Sequence, residues 1–132
     1  MSDISLATAT TIYHKFFKNL SINEFDPYVI SYSYCHKFKL DIIFRLIIYY
    51  ITKLIATASI YLGCKIEEEK VKLRDIINVS YRTLHPDLPP LELNETYRLL
   101  RESVVQTELL IARKLAFKLE FEHPQKVISL AF

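Results

Sequence analysis

Apolar residues recur every three or four positions along most of the chain, which is the spacing of one face of an α-helix. This period predicts helices over residues 2–20, 54–69, 70–84 and 94–119. The second of these has small residues, Ala56, Ser59 and Gly63, on one face and bulky apolar residues on another. A helix of this kind has neighbours on nearly all sides. We therefore expect residues 54–69 to form the central helix of a bundle.

Side chains that cap or break helices separate these segments. Caps are predicted at Ser2 or Asp3 and at Asn94, because their side-chain oxygens accept hydrogen bonds from free backbone N–H groups. Proline-containing breaks are predicted at residues 26–27, where a further helix should begin, at 85–90 and at 123–124. A single glycine and five prolines leave few sites for the tight turns of a β-protein. The fold class is predicted to be all-α.

Composition limits the function classes. A chain of 132 residues with 51% hydrophobic residues is long enough for one domain with a core. Its formal charge of +2 is dispersed, which gives no footprint for phosphate-backbone binding. Cys35 and Cys64 are isolated thiols without zinc-ligand spacing, and the chain start is not that of a secretory signal. We therefore expect an intracellular protein that has no cofactor, no metal site and no catalytic machinery.

A window at residues 46–64 complicates this interpretation, because Lys53 is its only charged residue. A stretch of about 20 apolar residues can span a bilayer. A lysine near its centre opposes insertion by roughly 2.5 to 3.5 kcal/mol. A single-pass membrane protein therefore stays open as an alternative.

Two charged residues stand at unusual positions in the helical pattern. Lys65 is at the end of the predicted central helix, and acidic residues 67–69 follow it, where they favour the start of the next helix. Residues 94–119 carry two apolar stripes, which predicts burial on two sides. Glu108 lies within the first stripe, between Val104 and Ile111. A carboxylate there must find hydrogen-bond donors or lie close to water.

Several blocks together resemble the cyclin box, a five-helix repeat, and most closely that of the cyclin-Q (cyclin M) group. The blocks are ATATTIYHKFF at residues 7–17, DPY at 26–28, IYL at 60–62, KIEE at 65–68, RDIINVS at 74–80, LRES at 100–103, VQ at 105–106, ELL at 108–110 and HP at 123–124. The resemblance covers nearly everything outside residues 29–53. It implies an all-α helical bundle of the cyclin-box type.

The resemblance also implies a function. Lys65 matches the family's lysine of the third helix and Glu108 its glutamate of the fifth, which together hold the C-helix of a cyclin-dependent kinase. The implied function is an activating subunit of such a kinase, with cyclin-dependent kinase 10 as partner, in the nucleus or cytoplasm. The candidate apolar residues of the kinase-binding surface are Ile66, Ala112, Leu115 and Leu119. The alternative within this fold is a nucleic-acid-binding transcription factor, which the dispersed charge disfavours.

The chain departs from the family pattern in three places. The family's first helix, expected before Leu6, is missing. Residues 1–121 then form a partial N-terminal cyclin box, and residues 122–132 only the start of the linker and second box. Residues 29–53 interrupt the match and resemble a translated intron, because their removal joins Tyr28 to Leu54 in register. Transcripts that retain this segment as the major product would contradict that hypothesis.

Overall fold

A computed structural model describes residues 1–19 and 38–123, and the secondary structure in these ranges is helical. Four helices follow one another along them. They are α1 (Asp3–Asn19), α2 (Phe38–Ile66), α3 (Leu73–Leu84) and α4 (Glu95–Lys114). The all-α class is confirmed. The helix start predicted at residues 26–27, the thiol of Cys35 and residues 124–132 of the expected linker and second box lie outside the described residues.

The helix α2 is the centre of the bundle, because α1, α3 and α4 all pack against it. All four helices contribute to one apolar core. Its fully buried members are Ile12, Phe16, Ile55, Ala58, Leu62, Ile77, Val104, Ile111 and Leu115. The prediction that the small-sided segment after Leu54 is central is confirmed.

The predicted caps occur at two helix starts. The Ser2 hydroxyl accepts a hydrogen bond from the Ser5 backbone N–H at 3.2 Å. The Asn94 side chain accepts one from the Tyr97 backbone N–H at 3.3 Å. Each cap satisfies one of the backbone donors that the first turn of a helix leaves free. The third helix begins at Leu73 rather than at residue 70, without a side-chain cap.

The central helix is longer at its start than the pattern predicted. It begins at Phe38, so part of the segment interpreted as an insert is continuous with residues 54–66 in one helix. No glycine or proline lies between Phe38 and Leu54, and nothing in this stretch breaks the helical hydrogen bonding. Among the described residues, no helix is both long and apolar enough to cross a membrane.

The last helix is shorter than predicted and is buried on one side. It ends at Lys114 instead of residue 119, because Ala116 and Phe117 adopt left-handed backbone conformations, with φ of 52° and 56°. Of the second apolar stripe, Val105 and Leu109 are exposed. The prediction that this helix is buried on two sides is therefore wrong for those residues.

The chain after α4 returns along α1 without regular structure. The Lys15 ammonium lies 4.5 Å from the centre of the Phe121 ring. Leu119 and Phe121 pack against the core, and His123 reaches the side chain of Thr8. Residues 119–123 therefore run along α1 towards the start of that helix.

The backbones of α1 and α2 approach closely at Gly63. A Cβ atom built on Gly63 would lie 3.0 Å from the backbone nitrogen of Ala9 and 3.1 Å from its Cα and Cβ atoms. Only a residue without a side chain fits this distance unless the backbone moves. Gly63 therefore sets how closely α1 packs on the central helix.

We expect Gly63→Ala to lower the free energy of unfolding by about 1 kcal/mol or more. Overpacking against backbone atoms costs about 1–3 kcal/mol, which outweighs the helix preference of alanine. Gly63→Val should lower it further, because its side chain is larger. Urea unfolding followed by circular dichroism measures both changes. A stability gain for Gly63→Ala would contradict the close approach.

Candidate functional site

Lys65 and Glu108 form an ion pair between the end of α2 and the middle of α4. The Lys65 Nζ atom lies 2.8 Å from Glu108 Oε1 and 3.1 Å from Oε2, so it donates to both carboxylate oxygens. The Lys65 side chain is 50% exposed and that of Glu108 is 13% exposed. The expectation that these two groups lie side by side is confirmed. Their role in kinase binding remains a prediction.

The surroundings of Lys65 favour its charged form. Its ammonium lies 4.3 Å from the centre of the Tyr61 ring, whose face attracts cations. Burial alone would lower the pKa of Lys65, but the hydrogen bond and charge of Glu108, followed by those of Tyr61, raise it above its ordinary value of 10.5. The site therefore presents a fixed cation that a partner can reach from solvent.

The apolar residues predicted around this pair have different exposures. Ala112 and Leu115 are buried, at 7% and 6% exposure. Ile66 and Leu119 are partly buried and pack against the core. Ala112 and Leu115 are therefore core residues of the helix region that carries Glu108, and they offer little surface to a partner.

Two exposed apolar residues beside Glu108 were not among the predicted site residues. Val105 stands one turn before Glu108 on α4 and Leu109 one turn after Val105, and each is 46% exposed. The helical spacing of apolar residues does include both of them, since they belong to the second apolar stripe of α4. That stripe was interpreted as buried, because the sequence does not show which side of α4 lacks a neighbour.

The helix that carries Lys65 ends in a Schellman motif. The Glu69 backbone N–H donates to the Cys64 carbonyl at 2.8 Å, and the Glu68 N–H donates to the Lys65 carbonyl at 3.1 Å. Glu68 is at the left-handed position of the motif, with φ of 56°. This position favours glycine, since a Cβ atom is strained there.

The helix that carries Glu108 ends in the same way. The Phe117 backbone N–H donates to the Ala112 carbonyl at 2.9 Å, and the Ala116 N–H donates to the Arg113 carbonyl at 3.0 Å. Ala116 occupies the left-handed position. Both helices of the ion pair therefore stop shortly after it, at turns that fix the direction of the following chain.

The acidic residues after Lys65 contact α1. Glu67 Oε1 accepts a hydrogen bond from the Thr8 hydroxyl at 2.7 Å, and Glu69 Oε1 accepts one from the Ser2 backbone N–H. The sequence had assigned these acids to the start of the next helix. Instead, the Glu69 carboxylate contacts the start of α1, whose free N–H groups favour negative charge, and the Glu67 carboxylate contacts a side chain further along the same helix.

The described residues contain neither a metal cluster nor an activated thiol. In residues 1–19 and 38–123, no group of three or more His, Cys, Asp or Glu residues could hold a metal ion. Burial, and secondarily the charge of Glu69, raises the pKa of the Cys64 thiol. A buried thiol of raised pKa is a poor nucleophile, and Cys64 acts as a core residue.

Comparison with known proteins identifies cyclins as relatives. No protein-family model matches the chain. Cyclin-L2 of Mus musculus is 32% identical over 78 residues, which are 56% of this chain and 15% of that protein. Cyclin-L1 of Xenopus laevis is 27% identical over 132 residues, which are 97% of this chain and 22% of that protein. Cyclin-T2 of Homo sapiens is 24% identical over 125 residues, which are 94% of this chain and 14% of that protein.

These relatives support the cyclin family for this chain, in agreement with its all-helical bundle. The chain spans between 14% and 22% of the length of these three cyclins. The comparisons do not support the narrower assignment to the cyclin-Q group, because these relatives are cyclins L and T.

We expect Glu108→Gln to lower the free energy of unfolding by only about 0.5–1 kcal/mol at pH 7, because Lys65 is half exposed and its ion pair is screened by water. The pKa of Lys65 is raised in the folded state. The contribution of the pair is therefore fully present below the unfolded pKa of about 10.5, and it is lost as pH rises through the higher folded pKa.

Urea unfolding of the parent and Glu108→Gln at pH 7, 9 and 11 measures this difference. The difference in free energy of unfolding between the two proteins should be equal at pH 7 and 9 and smaller at pH 11. A loss of about 3 kcal/mol or more at pH 7 would instead indicate a charge pair that water does not reach.

We also expect Glu68→Gly and Ala116→Gly each to raise the free energy of unfolding, by up to about 1 kcal/mol, because glycine adopts the left-handed conformation without strain. Thermal unfolding measures both changes. Ala58→Gly, in the buried middle of α2, is the control and should destabilise. Lower stability in both Schellman variants would contradict these turn conformations.

Proposed function

We propose that this chain is the regulatory, activating subunit of a cyclin-dependent serine/threonine kinase and not itself an enzyme. The observation that carries the proposal is the Lys65–Glu108 pair, in which two helices of the bundle present a fixed cation at the surface. The similarity to cyclins L and T supports the same function class. The kinase partner is part of this proposal.

In this proposal, the pair acts on the mobile C-helix of the kinase. A kinase is active when the glutamate of that helix pairs with the strand lysine that holds the ATP phosphates. A subunit that binds the inward position of the helix more tightly shifts the equilibrium towards the active state. Lys65 would donate to backbone carbonyls of the kinase helix, while Glu108 keeps the ammonium in place.

Apolar side chains around the pair would supply contact area. Val105 and Leu109 are exposed on α4, and Phe117 is 64% exposed after its end. Ile66 and Leu119 would contribute through their exposed parts, and Ala112 and Leu115 would hold α4 in position. An apolar centre with a polar rim is the usual composition of a stable protein interface.

We also propose a specific partner and a domain organisation. The residues that resemble the cyclin-Q group imply cyclin-dependent kinase 10 as the partner and a location in the nucleus, the cytoplasm or both. We propose residues 1–121 as a partial first cyclin box, interrupted by residues 29–53, and residues 122–132 as the start of the linker and second box.

Binding to purified cyclin-dependent kinase 10 tests the function. We expect Lys65→Ala combined with Glu108→Ala to weaken binding by about 30-fold or more, because breaking a partly desolvated polar contact costs about 2–5 kcal/mol. Kinase activity towards a peptide substrate should fall in parallel at a fixed subunit concentration. Fluorescence anisotropy measures the Kd.

A second ion pair on α4 provides the matched control. Arg98 and Glu95 lie 2.7 Å apart and are both mostly exposed. Replacement of both by alanine also removes one positive and one negative charge, here both from α4, and should leave Kd unchanged. Equal effects of the two double variants, or no effect of either, would contradict the role of Lys65 and Glu108.

A further inference from the structure

The Thr8 hydroxyl joins three parts of the chain in a buried position. Thr8 Oγ1 lies 2.7 Å from Glu67 Oε1, just after α2, and 2.7 Å from His123 Nε2, in the segment after α4. Thr8 is completely buried and His123 is 6% exposed. Buried polar groups in such contacts are costly to separate, because water cannot replace their lost partners.

The direction of these hydrogen bonds follows from the number of protons available. A carboxylate accepts only, and a threonine hydroxyl has one proton to donate. Since Thr8 donates to Glu67, its oxygen must accept from His123, whose Nε2 atom therefore carries a proton. The order is His123 Nε2–H to Thr8 Oγ1–H to Glu67 Oε1.

This chain of hydrogen bonds ends beside the ion pair. Ile66 is the last residue of α2, so Glu67 directly follows the helix and is two residues from Lys65. The Schellman motif also includes Glu67, because its two hydrogen bonds connect the residues on either side of it. A restraint on the Glu67 carboxylate is therefore a restraint on the turn that presents Lys65.

We propose that Thr8 and His123 are positioning residues for Lys65, so that the partner-binding site depends on the segment after α4. This inference rests on the proposed function. Both side chains are buried, so they would act through Lys65 and not by contact with the partner. They hold the end of α2 at a fixed distance from α1, which keeps the Lys65 ammonium in the geometry that Glu108 and the kinase helix require.

A double-mutant cycle with the kinase separates positioning from general stability. We expect Thr8→Val to weaken kinase binding about fivefold or more in the parent chain. In a Lys65→Ala background the same change should have little further effect, because the group it positions is absent. Thr8→Ser keeps the hydroxyl and should retain most of the affinity.

Ile77→Val is the matched control for lost stability, since Ile77 belongs to the core on α3 and is remote in sequence from the site. It should lower the unfolding temperature without weakening binding. If Thr8→Val does not fold, His123→Leu replaces it in the double-mutant cycle with Lys65→Ala, because it removes the donor that binds the Thr8 oxygen.

The outcomes distinguish the two proposals. If Lys65→Ala leaves Kd unchanged, the proposed function fails. If Lys65→Ala weakens binding but Thr8→Val and His123→Leu do not, the function stands and the positioning role fails. The positioning role would also be overturned if Thr8→Val weakened kinase binding equally with Lys65 present and in Lys65→Ala. The same holds if Ile77→Val weakened binding to the same extent.

Discussion

Short side chains can bond between two helices only where the backbones are close, and α1 and α2 are close where Gly63 meets Ala9. Thr8 precedes Ala9, and Glu67 is one helical turn beyond Gly63, so the contact brings the Thr8 hydroxyl within reach of the carboxylate. Lys65 lies between Gly63 and Glu67 in the sequence, at the end of α2. The missing Cβ atom of one glycine thus allows the polar contacts that hold the candidate site.

The site and the core depend on different interactions. The core consists of apolar side chains from all four helices, including Leu115 from directly after α4. The Lys65–Glu108 pair is partly exposed, so water screens it and it adds little to stability. Loss of the pair should leave the fold intact. Under the proposed function, mutation at Lys65 and Glu108 should separate binding from folding, whereas a change at Gly63 would also disturb the packing of α1 on α2.

Helical spacing was sufficient to predict the class, the central helix and the Asn94 cap, because each depends on neighbouring residues. The contact of Lys65 with Glu108 crosses 43 positions, and only the family resemblance placed the two together. Spacing did not predict that α4 ends before Leu119. Ala116 occupies a left-handed position, where glycine or asparagine is usual and alanine is not. The contact between Thr8 and His123, which are 115 positions apart, has no local signal.

The ion pair alone cannot supply the energy that the proposed activation needs. To shift a kinase from 1% to 99% active takes about 5.5 kcal/mol of differential affinity, whereas one hydrogen bond to a charged group contributes about 1.5–3 kcal/mol. About 100 Å² of additional apolar burial in the active state supplies about 2.5 kcal/mol. Exposed Val105 and Leu109 lie where such area is available. In this mechanism the apolar surface provides affinity, and Lys65 determines which position of the kinase helix receives it.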